Sequence, residues 1–266
     1  CNFSSMHFPL FFLKHITKDL VALSQRSELP FCIAGAVCFK NQAQFHPLKF
    51  LYGIAKDLPI YENTKVIALK PRVATTRYGE IKCRKMIVAT HFPILNKHGG
   101  YFLKLYQHRS YLLALENAPL PDAMYVDEDK AGFSFSSFGG CLLLGGGGHR
   151  TGKQGGSYGA LRTFAQRHYP NAREVLHWAA QDTMSLDGIP YIGRYSPGTP
   201  DLYVATGFNK WGMTSSMVAA QILTDQICGI DNPYAEIFSP SRSILRPQLA
   251  VNILESTANL LRFGKK

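Results

Sequence analysis

The sequence predicts a mixed α/β chain (α+β mixed) in which part of a parallel α/β unit is interrupted by an antiparallel β-sheet domain. Three observations predict it. The apolar run Leu202 to Thr206 feeds a glycine turn and then a helical pattern from Thr214 to Cys228, the order of a βα unit. From Tyr101 to Leu115 and from Gly132 to Leu144, aromatic and β-favouring residues alternate with polar ones, as in antiparallel strands with one open face. Between Thr64 and Thr90, short strand patterns follow one another closely enough to form a meander.

Taken in order, Leu10, Leu13, Ile16, Leu20 and Val21 recur at helical spacing and predict an amphipathic helix from Leu10 to Leu23, with extended chain at Leu29-Pro30. Pro47 suits a first helical position. Leu48, Leu51, Ile54 and Ala55 then supply one apolar face of a helix to Asp57, which Gly53 weakens. Strands are predicted at Thr64 to Leu69, Val73 to Thr76, Ile81 to Cys83 and Lys85 to Thr90, with Arg77-Tyr78-Gly79-Glu80 as a turn. A helix from Tyr158 to His168 and a strand from Val175 to Ala180 precede Leu202 to Thr206, and Gly229 stops the following helix. A connector from Asn232 leads to an amphipathic helix from Pro247 to Leu261.

Composition sets the class. The 266 residues, 46% of them hydrophobic, suffice for one large or two small domains. No apolar run approaches the ~20 residues of a membrane span, and Phe8 to Leu13 lacks the flanks of a signal peptide. The six cysteines, at 1, 32, 38, 83, 141 and 228, show neither CxxC nor zinc-site spacing, so they read as reduced thiols of a soluble, cytoplasmic protein with no metal site. The net charge of +11 is dispersed, with no basic run of five, which argues against a dedicated nucleic-acid or membrane surface.

The segment from Leu202 to Cys228 is the strongest candidate for chemistry. A helix start presents free N–H groups and partial positive charge, so Gly212, Met213 and Thr214 could stabilise an anion, while Gly207 and Gly212 permit close backbone approach. An ordinary βα unit with a polar turn is the alternative. Arg109 and Arg150 are candidates for pairing with a carboxylate, and Tyr111 and Trp178 for walling a planar ligand; each arginine taken alone reads first as a surface or structural charge. His46, before a helix, reads as a capping or packed residue. Gly147 to Lys153 has the P-loop spacing up to lysine, but Gln154 stands where Mg²⁺ chemistry needs Ser or Thr, and Gly155-Gly156 oppose an immediate helix. Those glycines read better as a tight turn after a strand from Cys141 to Leu144.

Gly207-Phe208-Asn209-Lys210-Trp211-Gly212-Met213-Thr214 resembles the C-terminal flavin motif of the glycine/D-amino acid oxidase family. Asp187-Gly188-Ile189-Pro190-Tyr191-Ile192-Gly193 is similar to the segment upstream of it, Val88-Ala89-Thr90 to the strand end closing the flavin domain, and Gln44-Phe45-His46-Pro47 to the preceding loop and helix start. The resemblance runs in consistent order from about residue 30 to 240. Ala89 to Pro93 and Asn232 to Arg242 are most similar to bacterial members that carry a C-terminal Rieske domain. This chain has no Cys-x-His with a later Cys-x-x-His, which excludes an iron–sulfur centre within it.

The resemblance implies a partial FAD/NAD(P)-binding Rossmann-like domain (42–91 with 187–231), an antiparallel β substrate domain (92–186), an N-terminal helix and lead-in (1–41), and a C-terminal connector and helix (232–266). It implies FAD as cofactor, contacted by Val66, Ala89, Thr90, Gly188, Ile189, Pro190, Gly207, Phe208, Gly212, Met213 and Thr214. Lys210, Trp211, Arg109 and Tyr111 are the implied catalytic positions, and Arg150 and Trp178 the substrate ones. Lys210 stands where relatives often have glycine and Trp211 where they often have His; a cation near the flavin raises its reduction potential. The implied reaction moves hydride from the carbon bearing nitrogen of a small amine or amino acid to flavin N5, needs a neutral amine rather than a general base, and leaves the electron acceptor unspecified.

No Gly-x-Gly-x-x-Gly turn with a following acidic residue occurs, and residue 1 is Cys, so the chain is expected to be truncated at both ends. Two alternatives follow: a non-catalytic remnant unable to bind FAD alone, and a basic interaction module with salt-dependent binding.

Overall fold

The computed structural model describes residues 21–95, 98–129 and 132–263, with the backbone alone for Val21 and for 259–263. The expected helix from Leu10 to Leu23 therefore lies mostly outside the described residues, and its final residues are corrected. They form β1 (Val21–Ser24), paired antiparallel with β2 (Ala36–Phe39) through Val21↔Phe39 and Ser24↔Ala36. Its hydrogen-bond partner lies beyond a local window, so spacing could not register it.

Helix α1 (Pro47–Ala55) forms where expected, with Pro47 in its first turn and His46 as N-cap, the imidazole Nδ1 accepting from the Lys49 N–H at 3.4 Å. None of its residues is buried. The meander follows as β3 (Val66–Lys70), β4 (Val73–Thr76) and β5 (Gly79–Lys82). The chain then enters a second sheet as β6 (Met86–Val88).

The strand expected from Tyr101 starts later. A 3-10 turn (His98–Gly100) and α2 (Tyr101–Lys104) precede β7 (Leu105–Glu116). Tyr101 is fully buried and its hydroxyl donates to the Tyr195 carbonyl at 2.9 Å, a long-range tie that decides the local conformation. Strand β7 is central in a five-stranded antiparallel sheet, in which β8 (Tyr125–Val126), β9 (Ser134–Phe138), β10 (Cys141–Arg150) and β11 (Arg173–Ser185) take the order β11-β7-β10-β9-β8. Helix α3 (Ser157–His168) covers one face. Tyr111, Leu113, Leu115, Phe135, Leu142, Leu144 and Leu161 fill that core.

The glycine run does not end β10. The strand continues through it to Arg150, with a register shift between Gly146 and His149. Gly147, at φ +60, lies so close to the Ser157 backbone that a Cβ would collide with it, which places the run against the start of α3 rather than around a phosphate. Strand β11 exceeds its expected limits because it pairs along the whole of β7, from Arg173↔Glu116 to Ser185↔Leu105.

The remaining sheet holds β12 (Tyr191–Arg194) and β13 (Leu202–Thr206), with β13 antiparallel to β12 and parallel to β6. Every residue of β13 is buried. Helix α4 (Gly212–Cys228) packs Ala219, Ile222 and Leu223 against it and ends at Gly229, φ +74. Helices α5 (Ala235–Phe238) and α6 (Pro247–Phe263) close the chain. Arg242 pins this end. Its guanidinium lies 3.8 Å from the Tyr191 ring centroid, pairs with both Asp187 oxygens at 2.8 and 2.9 Å, and donates to the Ile189, Pro190, Phe238 and Ser239 carbonyls.

Candidate functional site

Parallel strands β6 and β13 end side by side, and the chain leaving β13 turns through Gly207 to Trp211 into α4. Gly207 has φ +72, and a Cβ there would meet the Leu105 side chain at 3.1 Å and Ser185 Cβ at 3.3 Å, so backbone shape and space both demand glycine. Asn209 and Lys210 follow in left-handed conformations at φ +52 and +71. Asn209 holds this turn. Its Oδ1 accepts from the Ser185 N–H at 2.9 Å, its Nδ2 donates to the Gly207 carbonyl at 2.6 Å, and its own N–H donates to the Thr183 carbonyl at 3.2 Å.

The turn thus lies over β11 and delivers α4 with no side-chain cap at its N-terminus. The N–H groups of Gly212, Met213 and Thr214 face outward from a partial positive charge. Along the following turns of α4 is a cavity of about 300 Å³ lined by Ile87, Ala89, His91, Thr206, Gly207 and Phe208, with Ser216, Ala219, Ala220 and Leu223 of α4 completing the wall. An uncapped helix start next to a largely apolar cavity fits the edge of a planar, electron-accepting ring better than it fits a metal. Among the described residues no cluster of three or more metal-ligating side chains occurs.

The neighbouring sheet presents two faces to two environments. Alternation along β7 separates Tyr106, His108 and Ser110 from Gln107, Arg109 and Tyr111. The cross-strand partners His108↔Asp182, His108↔Arg150 and Leu112↔Trp178 place Asp182, Arg150 and Trp178 on the first face. Lys210 acts electrostatically on both His108 and Asp182, so this face looks toward the turn. Burial, then Lys210 and His149, push the His108 imidazole down to about 4, keeping it neutral at physiological pH, and its Nδ1 is buried without a hydrogen-bond partner among the described residues. Burial raises the Asp182 carboxyl above the ordinary value, although Lys210 and His91 pull the other way. Desolvation lowers the Lys210 ammonium despite Asp182.

The sequence-derived positions divide accordingly. Ala89, Gly207 and Phe208 line the cavity, and Gly212, Met213 and Thr214 form the helix start. Thr90 donates to the Phe92 carbonyl at 2.9 Å in the loop after β6. Trp211 is the N-cap residue and is 64% exposed. Gly188, Ile189 and Pro190 form the loop that Arg242 pins. Val66 lies in the separate meander sheet. Arg150, its guanidinium 4.8 Å from the Tyr106 ring, and Trp178 share the face turned to Lys210. Arg109 and Tyr111 occupy the opposite face; Tyr111 is buried in the core under α3 and its hydroxyl donates to His149 Nε2 at 2.9 Å.

Sequence reasoning passed over Asp182, His108, Asn209 and His91. His91 Nε2 meets the Gln181 carbonyl at 2.9 Å and the His91 carbonyl accepts from the Thr206 hydroxyl, joining β6, β13 and β11. Asn209 and His91 lie inside the quoted motifs but carried no role there, and no local motif marks His108 or Asp182; only the pairing of β7 with β11 and the path of the turn bring them together.

The family model for FAD-dependent oxidoreductases (DAO) matches residues 12–226. The chain belongs to the DAO family. The Bacillus subtilis (strain 168) protein YhfW, named for a Rieske 2Fe-2S iron–sulfur centre, is 36% identical over 253 residues, covering 88% of this chain and 49% of its own. Glycine oxidase from Geobacillus kaustophilus superposes with a TM-score of 0.61 at 22% identity, covering 69% of this chain and 53% of that enzyme. L-proline dehydrogenase from P. horikoshii does so at 0.57 and 19%, covering 68% and 54%. This DAO chain thus spans about half the length of these relatives. The mixed α/β fold and the FAD dependence of the family agree with the resemblance seen in Gly207 to Thr214. No helix among the described residues is long and apolar enough to cross a membrane.

Proposed function

We propose that this chain is the substrate-binding and flavin-contacting portion of an FAD-dependent oxidoreductase acting on a small amine or amino acid. The division would follow 42–91 with 187–231 on the cofactor side and 92–186 on the substrate side. The uncapped start of α4 beside the cavity at the ends of β6 and β13 carries this reading. Bound FAD would supply the hydride acceptor for oxidation of the carbon bearing nitrogen. The protein's part is positional: Gly212, Met213 and Thr214 would donate to the electron-rich edge of the cofactor, Ala89, Gly207 and Phe208 would border it, and Lys210 and Trp211 would stand at the mouth. Arg150 and Trp178 would meet the substrate. Arg109 and Tyr111, on the other face of β7, would act only through His149 and the strand itself.

The parallel sheet supports a further requirement. Within the described residues β6 is an edge strand and Ile87 is 49% exposed. A strand–helix–strand segment carrying a glycine-rich phosphate turn would pair with the β6 edge and hold the pyrophosphate, which nothing among the described residues does. Without it, the same geometry describes a remnant that binds no FAD.

Visible absorbance decides between them. The purified chain, loaded with FAD and desalted, is expected to show no retained flavin band, and to retain one when a strand–helix–strand segment with that turn is supplied in the same polypeptide. Absence of the band from that longer protein would end the oxidoreductase reading.

A further inference from the structure

Helix α6 meets the rest of the chain with its polar face. At 3.6 residues per turn, Gln248, Asn252, Glu255 and Ser256 share one side of the helix, and Ala250, Val251, Leu254 and Ala258 the other. Asn252 is 1% exposed; its Nδ2 donates to the Leu103 carbonyl at 2.8 Å and its Oδ1 accepts from Gln248 Nε2 at 3.1 Å. Glu255 pairs with Lys153 at 2.7 Å. The apolar side is left outward. Leu254 is 70% exposed, Ala250, Val251, Ile253 and Ala258 are exposed around it, and exposed Leu245 extends the strip ahead of the helix. An amphipathic helix that only completes a fold turns its apolar stripe to the core, so the reversed orientation marks a surface made for an apolar neighbour.

Charge identifies that neighbour. The outward strip carries no carboxylate, and Glu255, the one acid between Pro247 and Phe263, is paired inward with Lys153. In sequence, cations flank the helix: Arg246 before its first turn, and Arg262, Lys265 and Lys266 at and beyond its last. The segments that hold it, α2 and residues 151–156, add Lys104 and Lys153 and no acid. A second copy fits this pattern poorly, since two such helices laid together in either direction bring cation-bearing ends against each other. An anionic bilayer fits it well, because the acyl boundary takes the apolar strip and the headgroups take the cations. We propose that α6 is an interfacial helix that seats this chain on an anionic lipid surface. It would lie in the headgroup plane; with Gln248, Asn252 and Glu255 along one side it is too polar to cross. The dispersed net charge alone marks no membrane surface, and it is the outward strip between cations that does. Such seating would serve a flavin-binding and a flavin-free chain alike.

Co-sedimentation of the full chain with vesicles tests this, using phosphatidylcholine alone and phosphatidylcholine mixed in equal parts with phosphatidylglycerol, each at low and raised salt. The wild type is expected to bind the mixed vesicles about tenfold or more tighter than phosphatidylcholine alone, and to be released as salt screens the headgroups. Leu254→Glu is expected to weaken binding to mixed vesicles about tenfold or more, and Ala250→Trp, on the same strip, to strengthen it. Leu51→Glu, on exposed α1, should leave it unchanged. A wild type that ignores mixed vesicles, equal binding by the wild type and Leu254→Glu, or loss of binding in Leu51→Glu overturns the proposal. Sedimentation velocity without lipid should give the same mass for the wild type and Leu254→Glu; self-association lost in that variant, with no vesicle binding by the wild type, would assign the strip to a second copy instead. Should Leu254→Glu fail to fold, Ala250→Trp decides, and binding no tighter than that of the wild type overturns the proposal.

Discussion

The antiparallel sheet and the parallel sheet of this chain are held by different means. In the first, β7 is flanked on both sides by long paired strands and α3 covers a continuous apolar core of Leu113, Leu115, Leu142, Leu144 and Leu161. In the second, β13 is wholly buried but its neighbour β6 has three residues and, among the described residues, one open edge. Stability there leans on rings and charges: Tyr101, Tyr191 and Tyr195 around the Arg242 pin. One region closes on itself, and the other leaves a strand edge open among the described residues. The candidate site lies where they meet.

The sharpest way to break this contrast is to remove the pin. Arg242→Met leaves the Asp187 carboxylate and several carbonyls without their donor and is expected to cost about 3–5 kcal/mol, read by urea unfolding, with amide exchange accelerating in β12 and β13 before β7. A cost below about 1 kcal/mol would show that the pair is ornamental. Protonation tests the same pin. Burial alone would raise the Asp187 carboxyl, but the Arg242 and Ile189 bonds outweigh it and hold the group below its ordinary value. Its contribution is therefore present above the ordinary carboxylate range and is lost as pH falls through the lowered value.

In the closed region the matching change is Leu144→Ala, expected to cost about 2–5 kcal/mol by the same measurement, with exchange loosening in β7, β9 and β10. If it loosened β13 equally, the two regions would be one cooperative unit. At their junction, Asn209→Ala removes the side-chain bonds to Ser185 and to the Gly207 carbonyl from a turn in left-handed conformation and is expected to cost about 1–3 kcal/mol. Its mark should be faster exchange of amides 207–212, with β10 unaffected.

His108 supplies a titration at the same junction. With its imidazole pushed down to about 4, stability should fall as pH drops from about 6.5 toward that value, because the unfolded chain binds the proton first. NMR titration of His108 checks it; an ordinary midpoint would mean that the face is wetter than its burial indicates. The smallest effect belongs to the open surface. Leu51→Ser on α1 should change the stability of this chain by no more than about 0.5 kcal/mol, yet weaken association with an added strand–helix–strand segment. A large loss in the chain alone would show that α1 is already covered.

Much of this was legible from residue order. Proline at the first position of α1, the apolar run of β13, the stop at Gly229 and the alternation through β7 are local signals, and the elements formed within a few residues of them. The departures share one cause. Val21 to Leu23 became a strand, Tyr101 to Lys104 a helical turn and residues 145–150 a continuation of β10, because each found a partner far away in the chain.

For the site, the sequence alone determined that a strand, a glycine turn and a helix start follow one another at Leu202 to Cys228, because glycine and apolar spacing act over a few residues. Which side chains gather before that helix start was decided only by tertiary structure. The pairing of His108 with Asp182 spans 74 positions, and the alternation that puts Arg150 beside them and Tyr111 behind depends on register, which a one-residue shift would invert.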